Sequence, residues 1–299
     1  MQYRPLGRSG LQLSALCLGT VKFGAPVPEA ECGRIVDAAL DAGINIIDTA
    51  VAYGRSEEIL GAALQRNGKR DAVYLATKIL PGQNDRGSII RQCEQSLVRL
   101  KTDHIDLLQL HRPAPEIPID ESLRALDDLI RAGKVRYIGT SAFKAWQIME
   151  SLWVSRELGL NRFVSEQSVY SLLCRRTEDE LIPCAQTYGL GLLLWSPLGA
   201  GTLTERYTRD QPPAHLPLNA QAWQVIEAVR AMAAHKGCTP SQLAFAWCLA
   251  QPAVTCPIAG PSSVAQLADN LGALAVTLTP DERTQLDTVA PRGWSARRE

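Results

Sequence analysis

The sequence predicts an α/β fold: a (β/α)8 barrel with a short N-terminal β-hairpin, forming one domain over residues 1–299. Three observations carry this. Eight short apolar segments alternate with segments of helical period. Each apolar segment is nearly unbroken, as strands covered on both faces require. Most of them end in a polar or aromatic residue, as they do where barrel strands open onto a site. A doubly wound sheet is the competing fold, but its Gly-x-Gly-x-x-Gly phosphate fingerprint is missing from the first strand-to-helix turn, and Gly199-x-Gly201 is too little.

The elements follow in order. Tyr3 to Gly10 reads as a turn leading to a second short strand, Leu11 to Leu13, a hairpin that serves as plug or lid. Strand Ala15 to Leu18 ends at Gly19-Thr20, where a bare backbone and a hydroxyl admit a ligand. Pro28 opens a helix through Leu40. Strand Ile44 to Ile47 runs into Asp48 and then Tyr53, and a helix starts near Ser56 with Glu57 and Glu58 in its first turn. Strand Val73 to Ala76 ends at Thr77-Lys78. A helix with Ile89, Ile90, Cys93, Leu97 and Leu100 follows, and strand Ile105 to Leu110 ends at His111. Asp120 is expected to cap the helix closed by Gly133, before strand Val135 to Gly139 and Thr140-Ser141. Next come a helix with Trp146, Met149, Leu152 and Trp153, strand Phe163 to Ser165 leading to Glu166-Gln167, and a helix over about 176–188. Strand Leu190 to Leu194 ends at Trp195-Ser196-Pro197. Gly199 to Asn219, with Pro212, Pro213 and Pro217, reads as an irregular loop that covers the site. Helices Ala220 to His235 and Thr239 to Ala250 follow, the second with a Thr239/Gln242 capping box. Strand Val254 to Cys256, a helix from Ser263 and a last helix near Pro280 to Val289 complete the chain.

Composition narrows the function. Of 299 residues, 46% are hydrophobic, enough for a substantial core. Thirty-one basic residues balance 31 acidic ones, which argues against nucleic acid or an anionic membrane surface as partner. No uncharged apolar run approaches the ~18 residues of a membrane helix, and the start lacks a signal-like apolar region, so a cytoplasmic protein is expected. Eight cysteines show no Cys-x-x-Cys pair and read as reduced, mostly buried thiols. The histidines (104, 111, 215, 235) have no ligand-spaced neighbours, so no metal is expected.

The strand ends bring Thr20, Asp48, Lys78, His111, Ser141, Gln167 and Trp195 to one face. Singly, each has a plain explanation as a cap, a backbone partner or packing. Together, Asp48, Tyr53, Lys78 and His111 make a proton donor. A phenol ionises near a pKa of about 10, and a nearby ammonium is expected to lower that. Asp48 would fix Lys78 beside Tyr53, and His111 could orient a carbonyl oxygen. Such a set reduces a carbonyl if hydride is supplied, and Trp195 offers a face for a nicotinamide ring.

At this point the motifs Asp48-Thr-Ala-x-x-Tyr53-Gly54, Thr77-Lys78 and Leu107-Leu-Gln-Leu-His111 resemble the aldo-keto reductase family, in particular its bacterial and potassium-channel beta-subunit branch. The likeness extends to Tyr3-Arg-Pro-Leu-Gly-Arg-Ser-Gly-Leu, Arg131-Ala-Gly-Lys-Val-Arg-Tyr-Ile-Gly-Thr-Ser141 and Ser196-Pro-Leu-Gly-Ala-Gly-Thr-Leu203. The resemblance implies NADPH bound across the barrel top and hydride passed directly to a small aldehyde or ketone, with Asp48, Tyr53, Lys78 and His111 as catalytic tetrad and Tyr53 as acid. It implies cofactor contacts at Gly19 and Thr20, at Ser141 and Gln167 for the carboxamide, and at Trp195 for the ring. Ser196, Leu198, Gly199 and Gly201 would line the pyrophosphate, and Gly260, Ser262, Gln266 and Asn270 the adenosine end.

Three departures stand out. Ala142 replaces the family's usual Asn. Ser262 stands where many members place Arg or Lys against the 2'-phosphate, which leaves NADH possible. Only ten residues follow Val289, so the carboxyl-terminal loop of some relatives is short or absent. Gln266 fits a capping box as well as an adenine contact. Two other readings stay open: a cofactor-holding regulatory or redox-sensing subunit with weak turnover, and an aldolase using Lys78 as a Schiff-base amine. The substrate and the oligomeric state are not readable from these residues.

Overall fold

Apolar strands too short to stand alone pair here into one closed parallel sheet. The computed structural model describes residues 1–214 and 217–296. An antiparallel hairpin of β1 (Tyr3–Pro5) and β2 (Gln12–Ser14) precedes the barrel. The barrel strands are β3 (Cys17–Gly19), β4 (Ile46–Asp48), β5 (Tyr74–Ile79), β6 (Ile105–Leu110), β7 (Val135–Ser141), β8 (Ser165–Val169), β9 (Gly191–Trp195) and β10 (Val254–Ala259). They neighbour one another in chain order, and β10 closes on β3 through Ile258 opposite Cys17. Around them lie α1 (Glu29–Asp41), α2 (Ser56–Asn67), α3 (Arg86–Leu100), α4 (Ile119–Arg131), α5 (Ala145–Glu157), α6 (Leu181–Tyr188), α7 (Ala220–Lys236), α8 (Pro240–Leu249), α9 (Val264–Gly272) and α10 (Pro280–Val289).

The hairpin is a plug. Leu6, Leu11 and Leu13 pack in one cluster with Cys17, Ile46, Ala76, Leu107, Leu193 and Cys256, which seals the amino-terminal end of the barrel. Side chains alternate faces along a strand, so the residue two further on returns to the same wall. After Ile46 that residue is Asp48, after Ala76 it is Lys78, and after Leu107 it is Gln109. A polar layer therefore sits directly above an apolar one. All eight cysteines are free, six of them buried, and among the described residues no helix is long and apolar enough to cross a membrane.

Several expected details differ. Pro118, not Asp120, holds the N-cap of α4, and Asp120 lies inside the first turn, where an acid still favours the helix dipole. The single helix expected over 176–188 is a 3₁₀ turn, Arg176–Glu178, followed by α6. Starting α6 at Leu181 puts Pro183 in the first turn, where its missing N–H costs nothing. The irregular 199–219 segment contains a 3₁₀ turn at Gly199–Gly201, and His215 lies outside the described residues. On α5, Ile148 and Leu152 face inward while Trp146 and Trp153 are 58% and 62% exposed, so the two tryptophans are not core.

Glu166, on the outward wall of β8, is fully buried. It accepts from Thr140 Oγ1 at 2.5 Å and from the Phe143 amide at 3.2 Å. Burial pushes its carboxyl up to about 8, against the partial relief of these bonds. An unfolded Glu is ionised over most of the window from 4.5 to 8 in which the folded one holds its proton, so stability falls as pH rises through it. Glu166→Gln is expected to flatten the dependence of Tm on pH between about 4.5 and 8 relative to the wild type, as followed by circular dichroism.

Candidate active site

Asp48 is the last residue of β4 and Lys78 lies on the adjacent β5, in register with Gln109 on β6. Both charged side chains point into the barrel, and Lys78 is fully buried. The three donors of the ammonium are shared among four nearby oxygens: Asp48 Oδ1 and Oδ2 at 2.7 and 2.6 Å, the Thr49 carbonyl at 2.8 Å and Tyr53 Oη at 3.4 Å. Burial works against this ammonium, but Asp48 and then Tyr53 more than offset it and raise its pKa above the ordinary lysine value. Asp48 is shared: Gln167 Nε2 donates to Oδ1 at 2.7 Å and Gln109 Nε2 reaches the same atom at 3.4 Å.

Tyr53 comes from the turn between β4 and α2, closed by Tyr53 N to Ala50 O at 3.0 Å and Ser56 N to Tyr53 O at 3.1 Å. Gly54 follows with φ +58°, a left-handed conformation that favours glycine. The turn sets the phenol against Lys78 and places its ring edge-on to His111, with centroids 5.8 Å apart and planes at 79°. The expectation that Lys78 lowers the Tyr53 pKa is corrected here. Burial dominates and raises it above the ordinary phenol value, while Lys78 pulls down and Asp48 pushes up. The phenol thus holds its proton throughout the neutral range.

His111, just past β6, is pushed down to about 4, first by burial and then by Lys78. At neutral pH it is an uncharged imidazole with one N–H. Its Nδ1 is buried with no partner among the described residues. The four residues expected to act together are therefore brought together, with Lys78 touching Asp48 and Tyr53, and Tyr53 touching His111.

The other expected site residues divide. Ser141 and Gln167 pair in register on β7 and β8, and Ser141 Oγ donates to Gln167 O at 2.9 Å. Trp195 ends β9. Ser196 sits at φ +59° and its Oγ accepts from Ala200 N at 3.1 Å, which folds the 196–201 turn. Gly201 and Gly260 leave open room, since a Cβ there would meet nothing nearer than 3.8 and 3.9 Å. Gly19 and Gly199 are bare for internal reasons: a Cβ would strike Ile258 at 2.5 Å in one case and Thr202 at 2.6 Å in the other. Thr20 is buried in a hydroxyl chain, donating to Asp48 O at 3.0 Å and accepting from Ser56 Oγ at 2.7 Å, so its hydroxyl is not offered to a ligand. Leu198 packs partly into the core. At α9, Ser263 caps through Gln266 N while Gln266 Oε1 accepts from Ser262 N at 2.8 Å, and Asn270 is buried on the inner side.

Two residues were missed by the sequence reading. Gln109 was legible, standing two before His111 in an apolar run and so on the same wall. Lys22 was not: its Nζ donates to Ser262 Oγ at 3.0 Å across 240 positions. Burial lowers its pKa, and Arg206 adds like-charge repulsion. Among the described residues neither cation has a carboxylate partner. No group of three metal-ligating side chains occurs among them either.

The sequence profile of the Aldo/keto reductase family matches residues 15–291. The chain is 37% identical over 314 aligned residues to a Bacillus subtilis (strain 168) protein named uncharacterized oxidoreductase YrpG, spanning 97% of this chain and 96% of that one. It is 36% identical to a rice protein named probable voltage-gated potassium channel subunit beta, over 97% and 96% of the two chains. An Arabidopsis thaliana protein of the same name is 35% identical over 94% of each. The chain belongs to the aldo/keto reductase family of oxidoreductases.

Proposed function

We infer that this protein reduces an aldehyde or ketone to an alcohol, or runs the reverse, with NADPH as cofactor and Tyr53 as proton donor. The observation that carries the reading is the ammonium of Lys78, bonded at once to Asp48 and to the Tyr53 phenol. NADPH held across these residues would supply the hydride. The chain's own residues do the rest. Lys78 stabilises the phenolate left when Tyr53 gives up its proton, and Asp48 keeps Lys78 charged and aimed. Neutral His111 donates its one N–H toward the carbonyl oxygen and orients it toward Tyr53. The sealed floor beneath keeps water away from the pair, which strengthens both interactions.

The residues present fit the cofactor. Ser141 and Gln167 would take the carboxamide, the face of Trp195 not covered by Arg112 the ring, and the turn from Ser196 to Gly201 the pyrophosphate. At the adenosine end Gln266 and Asn270 would face the base beside open Gly260. Ser262 carries no charge itself, but Lys22 bonds to it and Arg206 approaches Lys22, so the 2'-phosphate of NADPH would find two cations there. This supports NADPH over NADH.

Two plant relatives are named as channel beta subunits, and a cofactor-holding regulatory subunit is the second reading. It entails tight cofactor binding with negligible turnover. The Schiff-base reading is disfavoured, because Asp48 holds Lys78 in the charged form that cannot attack a carbonyl.

Three outcomes are expected. Tyr53→Phe abolishes NADPH oxidation over a panel of aldehydes and ketones while cofactor binding, read by fluorescence, persists; retained turnover would remove Tyr53 as donor. The reduction rate of the wild type stays level from about pH 6 to 9 and falls only as Tyr53 ionises at higher pH, because the acid form is the active one. Lys22→Ala lowers the ratio of kcat/KM for NADPH to that for NADH by about tenfold, or about 1.4 kcal/mol of phosphate recognition. An unchanged ratio would place the phosphate elsewhere.

A further inference from the structure

Arg112 directly follows His111 where the chain leaves β6. Its backbone is pinned from below: buried Asn84 donates from Nδ2 to the Arg112 carbonyl at 3.0 Å, and Ser122 Oγ donates to Asn84 O at 2.6 Å. The side chain is exposed, and its guanidinium lies over the Trp195 ring, 6.0 Å from the centroid. That cation–π approach spends no N–H donor. Elsewhere around the barrel arginines are paired, as Arg70 and Arg136 are with Asp106 and Arg99 with Glu57. Arg112 has no carboxylate partner among the described residues.

The charges around the reacting groups do not cancel. Asp48 neutralises Lys78. Glu166, a buried carboxyl near enough for Arg112 to favour its ionised form, still has its pKa pushed up to about 8 by burial and is mostly protonated at neutral pH. Arg112 is close enough to favour the ionised phenol of Tyr53 and to disfavour a charged His111. It therefore stands as an unbalanced cation beside the carbonyl-reducing groups. Lys22 and Arg206 form a separate cationic pair at Ser262, where Lys22 Nζ donates to Ser262 Oγ at 3.0 Å. The 2'-phosphate of the cofactor thus has its own cations at Ser262, while Arg112, next to His111 and over Trp195, borders the reacting groups.

We propose that Arg112 is an anion-recognising residue of the substrate pocket, and that the substrates of this protein are small carbonyl compounds carrying a carboxylate or phosphate group. The proposal rests on the carbonyl-reductase reading above. A guanidinium that lies over an aromatic ring and has no carboxylate partner can offer its planar fork to an anion, the geometry that binds either anion through two parallel hydrogen bonds. With the carbonyl oxygen at Tyr53 and His111, the anionic group lies toward Arg112. This fixes which end of the substrate enters first and holds the reacting carbon in place.

The test uses matched pairs of substrates with the NADPH-loaded protein: 4-formylbenzoate against 4-formylbenzamide, and glyceraldehyde 3-phosphate against glyceraldehyde. In the wild type, kcat/KM for the anionic member of at least one pair is expected to exceed that of its neutral partner by about tenfold or more. Arg112→Met brings that ratio close to one, and Arg112→Lys restores part of it. Raising salt from about 10 mM to about 0.5 M raises KM for the anionic member selectively. Preference in the benzoate pair alone assigns a carboxylate substrate, and in the phosphate pair alone a phosphorylated one. Equal kcat/KM within both pairs overturns the proposal, as does a preference that survives in Arg112→Met. If no carbonyl is turned over, the reductase reading fails. The Arg112 proposal is then decided by binding of terephthalate against terephthalamide to the cofactor-loaded protein: loss of anion preference in Arg112→Met supports it, and equal binding in the wild type refutes it.

Discussion

The contact between Lys78 and Asp48 constrains everything around it. Two full charges in a barrel interior lose several kcal/mol of hydration each, and their attraction repays this only when the remaining donors and acceptors are met. Here they are met nearly completely. The ammonium has four oxygen contacts and the carboxylate gains two side-chain amides besides. The cost of leaving any of these groups alone explains why Thr49, Gln109 and Gln167 are held where they are. It also explains why the phenol of Tyr53 is drawn to a site that otherwise raises its pKa.

The barrel makes such a layer affordable by separating it from an apolar one with a step of two residues. Ile46, Ala76 and Leu107 form the dry floor with the leucines of the hairpin. Asp48, Lys78 and Gln109 form the layer above. One register slip between β4 and β5 would turn Lys78 to the outer wall among the helices and leave Asp48 unpaired. Strand pairing and the position of the charge pair are thus specified together.

Much of this was legible in the sequence, because its signals are local. Eight apolar runs of strand length, most of them ending in a polar or aromatic residue, predict both the barrel and the meeting of Asp48, Tyr53, Lys78 and His111. What was not legible depends on depth or on distant pairing. The direction of the Tyr53 shift turns on how far the ring is buried, which no spacing reveals. The bond from Lys22 to Ser262 joins opposite ends of the chain across the closing seam of the barrel. Thr20 looked available to a ligand until Ser56 and Asp48 were found to occupy its hydroxyl, and the outward turn of Trp146 and Trp153 cannot be told from core packing by their period alone.

The closing seam itself bears on how the protein comes into being. β3 meets its second neighbour, β10, only after more than 230 further residues have been made. Until then β3 is an open edge, as is the strand most recently made, and both are able to pair with other chains. Asp48, Lys78 and His111 emerge early, within neighbouring strands, so the nascent chain carries a charge pair before the walls that bury it exist. Assembly of this fold is therefore governed by non-local closure late in synthesis, which makes it slow and leaves the half-built barrel most vulnerable to aggregation.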